Sequence, residues 1–308
     1  MKQFDKVLVV ANPISGLGKA GRWLDWVVRK LRRSAKRVEV MRTGQAGDGH
    51  AAASELRTGA NLIVSFGGDG TFNEVLNGAD LELCTLAVIP AGAGNVLGFE
   101  LGMSTYPQKA VRQILEGREE RFDLAICNGR RFVSMFGAGL DARAVELAHE
   151  KRRGFMTHMH YALPILRGTI ECAGYGIKVR LDGRPLGSGL GQVVVGNTHS
   201  YGGRIELTPA ASPQDGLLDV MCVKAEFARM FGGFPHTMFR TVHNWRGITY
   251  ARGRRVEIQA TASEVPFELD GEAAGHLPAV VEILPRAVRL RAPRTFCPIQ
   301  RCPPVQEP

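Results

Sequence analysis

The residues best placed to do chemistry form a glycine-rich turn between an apolar run and a helical pattern. The run at 61–66 leads into Gly67-Gly68-Asp69-Gly70-Thr71, after which Phe72, Val75 and Leu76 repeat with helical spacing. A strand, a glycine turn and a helix bring backbone N–H groups close to a phosphate, and glycine has no Cβ to block it. Asp69 adds a carboxylate that could meet a metal ion or a reacting hydroxyl. Alone, the turn fits equally well a tight strand-to-helix connection in which Asp69 or Thr71 caps the helix.

Three further loops of small or polar residues follow predicted strands. They contain Asn12-Pro13-Ile14-Ser15-Gly16, Thr43 and Pro90-Ala91-Gly92-Ala93-Gly94-Asn95. The first is not a P-loop, because the G-x4-G-K-[S/T] spacing is absent. In an open parallel sheet, ligands bind at the carboxyl ends of the strands. We therefore predict that these three loops and the glycine turn meet at one edge of a sheet.

The apolar patterns divide the chain near residue 120. Before it, strands alternate with helices, which predicts an open parallel α/β domain over 1–120. After it, short apolar runs with turn signals predict a mainly antiparallel β domain over 121–290. The first domain is expected to have strands at 5–11, 37–41, 61–66 and 85–89, and helices at 20–34, 50–58 and 106–116. The second is expected to have strands at 122–127, 132–136, 176–181, 192–197, 217–223, 255–258, 265–269 and 279–284.

Composition narrows the classes of partner and compartment. Lys and Arg number 39 against 30 acidic residues, and the net charge of +9 favours anionic partners such as nucleotide phosphates or an acidic membrane face. No zinc finger, basic zipper or RNA-binding aromatic motif accompanies this charge, so no nucleic-acid partner is expected. The six scattered cysteines contain no CxxC pair and predict reduced thiols. No long apolar segment or hydrophobic leader is seen, so a cytoplasmic protein is expected.

Taken in order, the motifs resemble those of the diacylglycerol kinase catalytic-domain superfamily, which includes bacterial diacylglycerol kinases and the sphingosine and ceramide kinases. In the first domain the resemblance is carried by Asn12-Pro13 with Ser15-Gly16, Thr43 with Gly49-His50-Ala51, Gly67–Val75 and Pro90–Asn95. In the second domain it is carried by Gly196-Asn197, Tyr201-Gly202-Gly203, Pro209-Ala210, Asp215–Val220 and Asp270-Gly271-Glu272. The resemblance spans most of the chain. It implies a β-sandwich-like second domain and a C-terminal tail, 291–308, that returns to the first domain.

The resemblance also implies an ATP- and Mg²⁺-dependent kinase that phosphorylates a lipid hydroxyl. It assigns nucleotide contacts to Asn12, Pro13, Ser15, Gly16, Thr43, Gly67, Gly68, Asp69, Gly70, Thr71, Phe72, Asn73, Glu74, Gly92, Ala93 and Asn95. It implies a structural Mg²⁺ loop formed by Asp215 with the main-chain carbonyls near Ser212 and Leu217. An ordinary Asp-Gly turn is the alternative for that loop.

Two sets of carboxylates are candidates for the general base. The resemblance implies Glu272 with Asp270 as support, whereas the sphingosine-kinase branch uses the residue equivalent to Asp69. A plain hairpin turn is the alternative for Asp270-Gly271-Glu272. We favour the Asp270/Glu272 pair as catalytic, with Asp69 holding nucleotide or Mg²⁺.

The third loop departs from the usual family pattern, Pro-x-Gly-Thr-x-Asn-Asp. Ala93 replaces the threonine and Val96 replaces the aspartate, which brings the loop closer to the sphingosine-kinase version. A diacylglycerol-type acceptor is the first expectation and a sphingoid or ceramide lipid the second. An NAD kinase, which shares GGDGT, and a non-catalytic nucleotide- or lipid-binding regulator are the remaining alternatives.

An apolar stretch at 155–170 follows Lys151-Arg152-Arg153. Basic residues beside an apolar helix suit peripheral docking on a membrane, although an ordinary packed helix has the same pattern. The expected partner is thus a lipid substrate at a membrane surface. The protein is expected to bind transiently at the inner face of the membrane. A homodimer is left open.

Overall fold

The computed structural model describes residues 3–55, 59–150, 174–201, 205–226 and 247–297. The described chain divides into two compact units. The first contains the residues up to Asp123 together with those from Arg286 to Cys297, and the second runs from Leu124 to Pro285. The apolar stretch at 155–170 and the tail beyond Cys297 lie outside the described residues.

Helices and strands alternate in the first unit, and strands dominate the second. The helices are α1 Ser15–Ser34, α2 Asp48–Glu55, α3 Asp69–Gly78, α4 Val96–Glu100, α5 Pro107–Glu116 and α6 Leu140–Glu150. The strands of the first half are β1 Phe4–Ala11, β2 Ala35–Arg42, β3 Leu62–Gly67, β4 Thr85–Pro90, β5 Arg118–Cys127, β6 Arg130–Phe132 and β7 Met135–Gly139. The later strands are β8 Ile177–Leu181, β9 Arg184–Gly196, β10 Ser200–Tyr201, β11 Ile205–Glu206, β12 Leu218–Lys224, β13 Ile248–Gly253, β14 Arg255–Gln259, β15 Pro266–Leu269, β16 Glu272–His276 and β17 Ala279–Ala292.

The first unit is built on a parallel sheet in the order β2-β1-β3-β4. The end of β17 adds a further parallel strand beside β4, with Leu290 opposite Leu86. Every residue of β3 and β4 is buried, which explains why both strands are mostly apolar, with Ser65 and Thr85 as the polar exceptions. The prediction of an open parallel α/β fold for this part of the chain is confirmed.

Arginine side chains fix the C-terminal stretch within the first unit. The buried guanidinium of Arg291 donates to the carbonyl oxygens of Ile114 (2.8 Å) and Gly117 (2.6 Å). Arg294 Nε donates to the carbonyl of Glu116 at 2.8 Å. These acceptors lie at the end of α5, where helix carbonyls lack partners within the helix and a positive charge is favourable.

The second unit is mainly antiparallel, as predicted. Its strands pair in the order β16-β15-β7-β9-β8-β14-β17, and β9 also pairs with β12, which pairs with β13. Side chains from these strands and from β6 form one apolar core that includes Phe132, Phe136, Val194, Val220 and Val256. Helix α6 packs on β15, β7 and β16.

Two local differences from the sequence prediction have physical causes. The strand expected over 132–136 is divided into β6 and β7, because the N–H groups of Val133 and Ser134 donate to the Asp270 carboxylate. The second difference is a left-handed turn at Gly16, Leu17 and Gly18 (φ 63, 57 and 78°), which the sequence did not predict; the regular part of α1 begins after Gly18, close to the predicted start at 20. Within the described ranges, no helix is long and apolar enough to cross a membrane.

Candidate active site

The predicted loops do meet at one edge of the parallel sheet in the first unit. The sheet register places Ala11 beside Arg42 and Phe66, and Gly67 beside Pro90, so the residues that follow them share one edge. We call Asn12–Gly16, Thr43, Gly68–Thr71 and Ala91–Asn95 the loop edge. Backbone hydrogen bonds continue the sheet into it: Asn12 donates to Phe66 (3.0 Å), Thr43 to Ala11 (2.8 Å) and Ala91 to Gly67 (2.8 Å).

Glycines let the backbones of the loop edge approach each other directly. A Cβ on Gly92 would lie 2.5 Å from the Cα of Gly68, and a Cβ on Gly16 would lie 2.4 Å from the carbonyl oxygen of Ala91. Real Cβ atoms do not tolerate such contacts, so these positions require glycine. The glycines therefore keep side chains out of this part of the edge, an arrangement that lets a phosphate-sized ligand approach a loop backbone.

Asp69 lies in the first turn of α3, on the loop edge. Its carboxylate lies against the third loop, because a Cβ on Gly94 would be 2.8 Å from Asp69 Oδ2. The positive end of the helix dipole favours a carboxylate or a phosphate at this position. Asp69 is half-buried, so its charge is partly shielded from water.

Asn12 and Asn95 both use their side-chain amides on their own loops. Asn12 Oδ1 accepts the N–H of Ile14 at 3.3 Å, which forms an Asx turn. Asn95 is buried and left-handed (φ 50°), and its amide both accepts from and donates to the backbone of Gly92 at 2.7 Å. In this conformation the two asparagines shape the loop edge, and their contact with a nucleotide stays a prediction. Ala93, by contrast, is exposed at the tip of the third loop.

The second half of the glycine motif is directed inward. Phe72 and Asn73 are each 2% exposed on α3, and Thr71 is 7% exposed. Glu74 accepts the N–H groups of Gly47 and Gly49, each at 2.8 Å, and so fixes the loop that follows Thr43. Nucleotide contact by these four residues stays a prediction. Their burial and bonding favour support of the loop edge.

In the second unit, Asp270, Gly271 and Glu272 form the acidic turn, which joins β15 to β16. Asp270 and Gly271 both have positive φ (52 and 84°), as a two-residue type I′ hairpin turn requires. The Asp270 carboxylate accepts the N–H groups of Val133 (3.0 Å), Ser134 (2.8 Å) and Met135 (2.9 Å). Burial raises the pKa of Asp270, and these three hydrogen bonds oppose that rise. Asp270 is thus the anchor of the acidic turn.

Glu272 differs from Asp270 in being accessible. Its carboxylate pairs with the Arg130 guanidinium at 2.7 Å, and both side chains are about one-third exposed (35% and 36%). An accessible carboxylate can take a proton from a hydroxyl, and the neighbouring positive charge can stabilise an anion that approaches it. Sequence reasoning did not single out Arg130, because nothing near residue 130 in the chain links it to residue 272.

A further carboxylate, Glu268, lies beneath the acidic turn. It is fully buried, and its Oε2 accepts the N–H of Gly271 at 2.6 Å. Burial raises the pKa of Glu268 well above its usual range, and Asp141 beside it raises it further. The sequence offered one signal for Glu268: it precedes Asp270 by two positions, at the end of the same predicted strand.

The carboxylate of Asp215 is paired with a positively charged side chain of the protein, Arg252. Asp215 Oδ1 accepts the N–H of Leu217 at 3.0 Å, and Asp215 Oδ2 is bound by the guanidinium of Arg252. Arg252 also pairs with the buried Asp219, which accepts the Tyr250 hydroxyl at 2.7 Å. Burial raises the pKa of Asp219 to about 6, against the opposing effect of Tyr250 and Arg252.

Those contacts bear on the predicted metal loop. Among the described residues no group of three or more Asp, Glu, His or Cys side chains could hold a metal ion. Arg252 already neutralises Asp215, so the contacts favour an ion pair over a metal at this loop. A Mg²⁺ site at Ser212, Asp215 and Leu217 stays a prediction.

Comparison with known proteins covers nearly the whole chain. Residues 6–127 match the family described as "Diacylglycerol kinase catalytic domain", and residues 134–292 match "YegS C-terminal NAD kinase beta sandwich-like domain". The second match confirms a sandwich-like C-terminal domain. A diacylglycerol kinase from Bacillus subtilis (strain 168) is 31% identical over 298 residues, which cover 93% of this chain and 96% of that protein.

A second relative and a solved structure indicate the same family. A diacylglycerol kinase from Mycobacterium tuberculosis (strain ATCC 25618 / H37Rv) is 28% identical over 305 residues, covering 95% of this chain and 96% of that protein. The crystal structure of a diacylglycerol kinase from Bacillus anthracis str. Sterne superposes with a TM-score of 0.76 at 26% identity, covering 95% of this chain and 98% of that one. The chain therefore belongs to the diacylglycerol kinase family and is a lipid kinase.

Proposed function

We propose that this lipid kinase transfers the γ-phosphate of ATP to the hydroxyl of a diacylglycerol-type lipid. The observation that carries the proposal is the loop edge, where Gly68 and Gly92 meet backbone to backbone beside the start of α3. Such an edge suits the phosphates of a nucleotide, because N–H groups and a helix N-terminus both favour negative charge. Asp69, in the first turn of that helix, is the group that would hold the nucleotide and its Mg²⁺. Mg²⁺ would neutralise charge on the phosphate oxygens, as in kinases generally.

Glu272 is the proposed general base. The acceptor hydroxyl gives its proton to the Glu272 carboxylate as its oxygen bonds to the γ-phosphorus, and the bond from that phosphorus to the bridging oxygen of ADP breaks. Of the two carboxylates in the acidic turn, Glu272 is accessible, whereas the oxygens of Asp270 accept three backbone N–H groups. Asp270 supports catalysis by holding the turn. Arg130 holds the Glu272 carboxylate in one orientation.

The acceptor is proposed from the relatives that the chain resembles. Those from B. subtilis and M. tuberculosis carry the name diacylglycerol kinase. The third loop, in which Ala93 replaces a threonine, supports a sphingoid or ceramide acceptor as the second candidate. Exposed basic residues on α1 and β2, among them Arg29, Arg33 and Arg37, suit attraction to an anionic membrane face where such lipids reside.

A lipid panel with two variants tests the proposal. The protein is given radiolabelled ATP with Mg²⁺ and mixed micelles of diacylglycerol, sphingosine or ceramide, and the labelled lipid is identified. Glu272→Gln should lower kcat about 10²- to 10⁴-fold, the usual contribution of a general base, while ATP binding by calorimetry is unchanged. Asp69→Asn should weaken ATP binding as well as turnover.

Each outcome of that experiment bears on one part of the proposal. If only sphingosine or ceramide is labelled, the proposed diacylglycerol acceptor is wrong and the labelled lipid takes its place. Full turnover by Glu272→Gln would remove the proposed base. Binding of ATP with no transfer to any lipid would favour a nucleotide-binding regulator.

A further inference from the structure

Two carboxyl groups converge at Gly137 inside the second unit. The position that a Cβ of Gly137 would occupy lies 2.6 Å from Asp141 Oδ2 and 2.7 Å from Glu268 Oε1. Glu268 is fully buried, and its Oε1 has no hydrogen-bond partner in the part of the chain that the structure describes. We call Asp141 and Glu268 the carboxyl pair. The missing Cβ of Gly137 is what leaves room for it.

We propose that the carboxyl pair shares one proton and holds the acidic turn in its catalytic position. Glu268 is a positioning residue here, and the idea rests on the proposed function of Glu272. The surroundings of the two Glu268 oxygens indicate which of them carries the proton. Oε2 of Glu268 accepts the N–H of Gly271 at 2.6 Å, so it is the carbonyl oxygen of the acid. Oε1 then carries the hydrogen and donates it toward Asp141.

Burial and charge both require such a proton. Glu268 is fully buried and the facing Oδ2 of Asp141 is a buried atom, so ionising both carboxyls would place two negative charges together without hydration, which costs more than protonating one of them. Burial and the neighbouring Asp141 raise the pKa of Glu268, in agreement with this arrangement. The other ionisable groups on the packed elements with described side chains are Asp270, Glu272, Arg143, Glu146 and His276. The negative charges of Asp270 and Glu272 raise the pKa of Glu268 further, by smaller amounts than Asp141 does.

The pair links the start of α6 to β15 and to the turn that follows β15. Asp141 lies in the first turn of α6, Glu268 on β15, and the Gly271 N–H belongs to the turn that carries Glu272. While the proton is present, one chain of hydrogen bonds joins the start of α6 to the turn. Loss of the proton places two negative charges together and releases that link. The activity should therefore fall at alkaline pH for a reason separate from the titration of the base.

The first test compares Glu268→Gln with Glu268→Met. Glutamine reproduces the protonated acid, because its oxygen accepts from Gly271 and its amide donates to Asp141. Methionine keeps the size and removes both bonds. Glu268→Met should lower kcat about 10- to 100-fold with an unchanged KM for ATP, and glutamine should restore most of that loss. The alkaline limb of the kcat–pH profile should move to higher pH in Glu268→Gln.

The second test perturbs the pair without changing either acid. Gly137→Ala inserts a methyl group less than 3 Å from both oxygens and should lower kcat as Glu268→Met does. Gly174→Ala is the matched control, since a Cβ there has nothing within 4 Å, and it should leave kcat unchanged. Infrared spectra of the full chain should show the carbonyl stretch of a buried carboxylic acid at neutral pH, and Glu268→Gln should remove it.

The infrared band separates this proposal from that of the base. If Glu272→Gln is fully active but the band is present and disappears in Glu268→Gln, the pair stands and the assigned base is wrong. An absent band overturns the pair, and it can be sought even if Glu268→Met does not fold. An alkaline limb that is the same in Glu268→Gln and the wild type also overturns it.

Discussion

Replacement of Glu74 by alanine should loosen the loop that follows Thr43. The Glu74 carboxylate accepts the N–H groups of Gly47 and Gly49, each at 2.8 Å. A hydrogen bond to a charged group contributes about 1.5–3 kcal/mol, and the lower value applies because Glu74 is only half-buried. Two such bonds amount to roughly 3 kcal/mol of local stability. At 1.4 kcal/mol per tenfold, the loop should open about 150 times more often.

Hydrogen exchange measured by mass spectrometry on the full chain reads this opening directly. Protection of the peptide that contains Gly47 and Gly49 should fall about 150-fold in Glu74→Ala and about tenfold in Glu74→Gln, which retains one acceptor oxygen. Glu55→Ala is the matched control, because Glu55 is an exposed glutamate at the end of α2. Gly49→Ala attacks the same contact from the other side, since its Cβ would lie 2.7 Å from Glu74 Oε2.

The same variants decide between support and direct nucleotide contact. If Glu74 supports the loop, Glu74→Ala and Gly49→Ala should weaken ATP binding to a similar extent, and exchange should rise in both. If ATP binding falls in Glu74→Ala while exchange of the Gly47 peptide matches that of Glu55→Ala, the supporting role of Glu74 is refuted and this side chain touches the nucleotide.

Two further predictions concern buried charges. Burial raises the pKa of Asp219 from 3.8 to about 6, so the folded protein binds this proton more tightly than the unfolded chain does and gains stability from it below pH 3.8. This stabilisation is lost as the pH rises through 6. The free energy of unfolding of the wild type should then fall by about 3 kcal/mol relative to that of Asp219→Asn, as measured by urea unfolding at each pH. Arg291→Met should destabilise the first unit by roughly 2–4 kcal/mol, because the carbonyls of Ile114 and Gly117 lose a charged donor; an unchanged melting temperature would contradict this.

The loop edge could be predicted because it depends on chain order and strand direction. Parallel strands that each run into a glycine loop must present those loops at one end of the sheet. Asn12, Thr43, Asp69 and Asn95 accordingly follow or flank the strand ends that the register brings together. No contact between distant side chains had to be known for that inference.

The duties of individual residues could not be predicted, because they depend on contacts between distant parts of the chain. Glu74 holds backbone groups that precede it by 25 and 27 residues. Asp270 holds the N–H groups of Val133 and Ser134, which precede it by 137 and 136 residues, and this contact also divides a strand that the sequence predicts as one. Periodicity describes neighbours in sequence, so it contains no information on such pairs.

The acidic turn shows why residue type alone does not assign a base. Asp270 and Glu272 have the same functional group and lie two positions apart, yet three backbone N–H groups converge on one and a single guanidinium on the other. Hydrogen bonds from several N–H groups stabilise the charged form of a carboxylate, so protonation of Asp270 would weaken the contacts that hold the turn. Glu272 is about one-third exposed and is paired with Arg130, so it can accept a proton without loss of a backbone contact that holds the turn. The fold thus separates the anchor of the turn from the proposed base, and buried Glu268 accepts the N–H of Gly271 beneath that turn.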